Sequence, residues 1–92
     1  MPYWGANVRN DNHVVQAKIH SESNYEAAPE DLIEYIRNLS KSLNVDEHDL
    51  AKFFAEKIAV AFKDFPHALW VTVDILTTEG RTFGETRMIK EL

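Results

Sequence analysis

The chain has no cysteine at all, and only three glycines and three prolines in 92 residues. The missing thiols exclude a disulfide framework, thiolate catalysis and cysteine-based zinc sites. Three scattered glycines leave no glycine-rich phosphate loop, and no Gly-x-Ser-x-Gly motif occurs. No apolar run approaches the roughly 20 residues of a membrane span. No basic stretch leads into an apolar segment at the start, so the reading expects no secretory signal. Positive charge is also scarce. Ten Lys and Arg face 15 Asp and Glu, for a formal net charge of −5. That balance speaks against a general nucleic-acid binder and against an anionic-membrane binder. These absences together favour a soluble, cytoplasmic protein.

What is present is ordinary globular composition: 45% hydrophobic, 27% charged and 11% aromatic residues. The length suits one small domain spanning residues 1–92. The acid is unevenly placed. Residues 22–64 hold ten acids and five bases, and the two flanks together are neutral. Such a segment reads as a solvated helical face, or as a docking surface for a basic partner.

Hydrophobic spacing divides the chain into six elements. Residues 3–9 read as a short strand, followed by Asn10-Asp11-Asn12, which tolerate the backbone of a hairpin turn. From His13 to Ser21 the pattern alternates, with Val15, Ala17 and Ile19 on one face and Val14, Gln16, Lys18 and His20 on the other. Residues 21–28 read as a polar connection. Pro29 suits a first helical turn, Glu30 and Asp31 complement the helix dipole, and Leu32, Ile33, Ile36, Leu39 and Leu43 recur at helical spacing. This predicts a helix over about 29–42. A second helix is expected over about 47–64, with Asp46 as N-cap, Asp49 as a weak capping-box partner, and Val45 and Leu50 as a hydrophobic staple. Its apolar stripe runs through Leu50, Phe53, Phe54, Ile58, Ala61, Phe62 and Phe65, and Pro66 is expected to end it. Residues 68–77 alternate again as a strand, Gly80 supplies a turn, and residues 82–90 return as the last strand. The expected fold class is α+β, with order β-β-α-α-β-β. A four-stranded antiparallel sheet would carry two antiparallel helices on one face.

The run from Asp49 to Phe62 (DLAKFFAEKIAVAF), then Phe65-Pro66-His67, then Trp70 to Ile75 (WVTVDI) resembles the second helix and third strand of dihydroneopterin aldolase. Urate oxidase has a similar helix, turn and strand. Both belong to the tunnelling-fold superfamily (T-fold), whose β-β-α-α-β-β unit matches the order read above. The resemblance implies a homo-oligomer assembled through strand edges. It also implies a flat pterin- or purine-like heterocycle bound between subunits. The aldolase catalytic residues are not matched. The family's Leu-Ile-Glu reads Leu50-Ala51-Lys52 here, its strand-ending lysine reads Leu76-Thr77-Thr78, and its tyrosine falls near Pro29. The zinc-binding His-Gly-His of a related branch is absent, so neither a metal nor another cofactor is expected.

Candidate ligand-binding residues follow from that reading. Lys52 and Glu56 lie four apart on one helix face. As a functional pair they would meet a heterocycle; otherwise they form a surface ion pair. Glu79 would offer a carboxylate to an aminopyrimidine edge, or is an exposed turn residue. Tyr25, in the polar connection, is a candidate stacking group. Trp4, Trp70 and Phe83 are expected on strand faces away from the helices. Trp70, Leu76 and Trp4 are the expected interface residues, because an apolar patch on an outer sheet face needs a cover. His13 and His20, seven apart on one strand, are expected on opposite faces. The contrasting reading is a non-catalytic interaction or regulatory module. It would bind a protein partner through its acidic helices or its Trp-bearing sheet face.

Overall fold

The computed structural model describes residues 3–9, 13–21, 29–41, 43–65 and 68–89, with the side chains of 3, 4, 29 and 30 excepted. Alternation in the sequence becomes strands β1 (Tyr3–Arg9), β2 (His13–Ser21), β3 (Ala68–Thr77) and β4 (Thr82–Met88). The helical spacing becomes α1 (Pro29–Ser40) and α2 (Leu50–Ala61). The sheet is antiparallel throughout, in the order β1-β2-β3-β4. It is the α+β arrangement expected, with both helices on one face.

The register explains which face they cover. Ala6 pairs with Ala17 and Val8 with Val15, while Val15, Ala17 and Ile19 pair with Ile75, Val73 and Val71. Val15, Ile19, Val71, Val73 and Ile75 are fully buried. Helix α2 lays Leu50, Ala51, Phe54, Ala55 and Ile58 on this surface. The two alanines let the helix approach the sheet closely, and Phe54 fills the centre. Helix α1 adds Leu32 and Ile36. The Tyr35 hydroxyl donates to the Lys57 carbonyl at 3.1 Å, tying the two helices together.

Helix α1 ends where α2 begins. Ser40 and Lys41 stand beside Val8 and Arg9, and Glu47 reaches Arg81 in the β3–β4 turn. The helices therefore run in opposite directions, and both start or stop at the hairpin end of the sheet. The second helix is shorter than its apolar stripe predicts. A 3-10 turn, Glu47–Asp49, precedes it, and Phe62 leaves helical geometry (φ −106°, ψ 14°) four residues before Pro66. Asp46 has the extended backbone of an N-cap, but its side chain makes no capping hydrogen bond. Its carbonyl accepts from the Asp49 amide at 2.9 Å, and its carboxylate lies 3.7 Å from His48 Nδ1. The tighter 3-10 turn satisfies the helix start through the backbone.

Gly80 closes the last hairpin at φ +83°, a conformation costly for residues with a Cβ. The Thr77 amide donates to the Arg81 carbonyl at 2.9 Å, and the Gly80 amide to the Thr77 carbonyl at 3.1 Å. A three-residue loop with a left-handed residue fixes the register of β4. Phe83 consequently pairs with Ile75 and packs against the core. This corrects the expectation that Phe83 faces away from the helices. A one-residue difference in strand register reverses every side chain.

Candidate functional site

The two sheet faces differ in cover. Opposite the helices, Trp70 lies between His20 and Met88 in the register, Thr72 between Lys18 and Thr86, Asp74 between Gln16 and Gly84, and Leu76 between Val14 and Thr82. This surface is apolar at both ends and polar in the middle. Leu76 is 36% and Met88 55% exposed. Trp70 is half-buried because its indole stacks on the His20 ring, with centroids 4.9 Å apart and planes 19° from parallel. His20 Nε2 stands 3.5 Å from Thr72 Oγ1. Met88 belongs to the same patch and was missed, because neither its neighbours nor its period marks it as apolar-facing. Trp4 pairs with Ile19 in the backbone register, but its side chain lies outside the described residues. Tyr25 lies outside them altogether.

At the middle of this face Gly84 has a local reason. A Cβ built there would stand 2.9 Å from Asp74 Oδ1. The Asp74 carboxylate therefore leans over the glycine of the neighbouring strand. The face therefore has a polar centre, with Asp74, Lys18, Gln16 and Thr72, between two apolar ends.

The expected ligand residues do not form one constellation. Lys52 and Glu56 are both exposed on α2. Glu56 Oε1 accepts from Arg87 Nη2 on β4 at 2.9 Å. Arg87 also stands 3.8 Å from Glu85, and its buried Nε has no partner among the described residues. Glu79 sits in the β3–β4 turn, 3.7 Å from Arg81, which in turn is 3.9 Å from Glu47. Among the described residues, no hydrogen bond or ion pair links Glu79 to Lys52 or Glu56. Glu79 thus joins a charged cluster at the hairpin end, and Glu56 a pair on the β4 edge.

The two histidines of β2 point to opposite faces, as their spacing requires. His13 is 8% exposed on the covered face, its ring edge-on to Phe54 with centroids 6.5 Å apart. Burial pushes its pKa below the ordinary 6.5, and the Glu47 carboxylate partly opposes that. On the open face, burial against Trp70 also lowers the His20 pKa, assisted by the Lys18 charge. His48 faces Phe83, with ring centroids 5.2 Å apart. Among the described residues, no group of three or more His, Asp or Glu is placed to hold a metal ion. His67 and Pro66 lie outside the described residues.

The sheet also has two open edges. Among the described residues β1 pairs only with β2, and β4 only with β3. Such edges present unpaired amides and carbonyls, which a further strand can extend. No helix among the described residues is long and apolar enough to cross a membrane. Comparison with known family models, with curated proteins and with solved structures finds no significant match for this chain.

Proposed function

We propose that the chain works as one subunit of a homo-oligomer, joined edge to edge through β1 and β4, with its open sheet face inside the assembly. The observation that carries this reading is the open face itself. It bears Trp70, Leu76 and Met88 opposite a packed core, between two strand edges that no further strand pairs with among the described residues. Strand alternation supports closure. β1 runs toward the hairpin end and β4 away from it, so β1 of one copy meets β4 of the next antiparallel. Repeated head to tail, that contact forms a ring when the rotation closes.

The tunnelling-fold resemblance of residues 49–75 adds a ligand class to this assembly: a pterin- or purine-like ring held between subunits, in a cytoplasmic protein. Lys52 and Glu79, with Tyr25, are the residues it would use. Glu56 is less available for that role, because Arg87 already occupies one of its oxygens. No catalytic role is assigned to any residue.

The native mass in solution tests the assembly. A closed multimer is expected, and a panel of pterins and purines then follows. Ligand at 100 times its dissociation constant adds about 2.7 kcal/mol of stability, enough to read as a thermal shift. A multimer with no shift from any ring would remove the heterocycle and keep the assembly. A stable monomer would overturn both and give the open face to a different protein, the interaction-module reading.

A further inference from the structure

The four arginines divide by sheet edge. On the β4 side, Arg81 stands 3.9 and 3.7 Å from Glu47 and Glu79, and Arg87 stands 2.9 and 3.8 Å from Glu56 and Glu85. On the β1 side, Arg9 and Arg37 have no ion-pair partner among the described residues, and neither does Lys41. These three cations come together. A cleft of about 280 Å³ between the end of β1 and the last turn of α1 is lined by Val8, Arg9, Arg37, Ser40 and Lys41. Arg37 and Lys41 also line an adjoining hollow of about 470 Å³, with Ile33, Glu34 and Asn38.

A helix C-terminus attracts cations, which accounts for Arg37 and Lys41 separately. It does not account for Arg9, which reaches the same cleft from the sheet. It also does not explain why three cationic residues line one cleft with no carboxylate among its lining residues, in a chain of net charge −5. Like charges brought together on two elements repel, and an anion between them removes that cost. The Ser40 hydroxyl donates to the Ile36 carbonyl at 2.8 Å, so its proton is already used within the helix.

We propose that this cleft binds a small phosphate monoester. The phosphate sits among Arg9, Arg37 and Lys41, and the organic body lies along Ile33 within reach of Asn38 and Glu34. Two guanidinium forks suit the several oxygens of a phosphate, and three positive charges match a dianion better than a single carboxylate. The combined hollow falls in the size range of small-molecule sites, and its Ile33 floor offers the apolar contact such sites use. Glu34 selects a body that carries hydrogen-bond donors and repels a second phosphate. The site lies within one chain, so it stands or falls independently of edge-to-edge assembly.

The test is an NMR titration of the full chain at low salt with AMP, inorganic phosphate and adenosine. AMP is expected to shift the amides around Arg9, Arg37 and Lys41 saturably. Inorganic phosphate should shift the same amides more weakly, and adenosine should leave them unmoved. Arg9→Gln and Arg37→Gln should each weaken AMP about tenfold to a hundredfold, the loss of one charge-assisted contact. All three positions are exposed, so these variants should keep the wild-type amide spectrum elsewhere. If a variant fails to fold, the wild-type contrast between AMP and adenosine still decides. No saturable shift with AMP, equal shifts with adenosine, or AMP binding that survives both substitutions would overturn the site. If AMP does not bind and the substitutions lower the native mass instead, the cleft receives an acidic surface of a second copy and the small-molecule proposal fails.

Discussion

One sheet carries two unlike faces. On β2 and β3 the middle of the covered side, Val15, Ala17 and Ile19 against Val71, Val73 and Ile75, is valine, isoleucine and alanine buried under Phe54 and its neighbours. The open side of the same strands alternates Val14, Gln16, Lys18 and His20 with Trp70, Thr72, Asp74 and Leu76. The first face is what folding requires. The second is larger in aromatic and apolar surface than a solvated face needs, with Trp70, Leu76 and Met88 at its ends. That surplus is the reason for reading the open face as a contact surface.

The covered face should tolerate change least. Phe54→Ala should cost about 3–5 kcal/mol, because the vacated volume lies at the junction of α2 and the sheet. Urea denaturation would read this as a lower midpoint. Gly80→Ala comes next, at about 1–2 kcal/mol. Beyond the residue itself and its two chain neighbours, no atom lies within 4 Å of the added methyl, so the cost there is backbone strain. The same denaturation series would read it as a smaller drop in the midpoint.

The histidines sharpen the contrast between faces. Both have a pKa held below 6.5, so the unfolded chain takes up protons first as the pH falls. Stability should therefore fall as the pH drops from 6.5 toward the lower folded-state values, and level off below them. Glu47→Gln should lower the His13 pKa further and leave His20 in place, since only His13 feels that carboxylate. Proton NMR titration of the two rings would show it. The smallest effect belongs to the open face. Leu76→Ser should change the folding stability of the isolated chain by no more than about 0.5 kcal/mol. A larger loss, measured in dilute solution, would mean that the open face helps to hold the chain's own fold.

Most of the fold was legible because its signals are local. Alternation around Val71, Val73 and Ile75, Pro29 at a first helical turn, and Gly80 at a turn each act within a few residues. What was not legible depended on distant partners. Lys52 and Glu56 look like a pair in sequence, but lysine preceding glutamate is the weaker order on a helix, and Arg87 arrives from 31 residues away. Phe83 took its face from the loop that sets the β4 register, since Thr82 to Arg87 has no clear apolar period of its own. Asp46 lost its capping role to a backbone turn. The cleft of Arg9, Arg37 and Lys41 joins a strand end to a helix end, and no spacing rule connects them.

Edge-to-edge assembly is read out by amide hydrogen exchange along β1 and β4, followed from dilute to concentrated protein. Edge-to-edge assembly predicts that the outward amides of both strands, those not bonded to β2 or β3, exchange freely in dilute solution and become protected together as concentration rises. Outward amides on both edges that exchange fast at every concentration would contradict it.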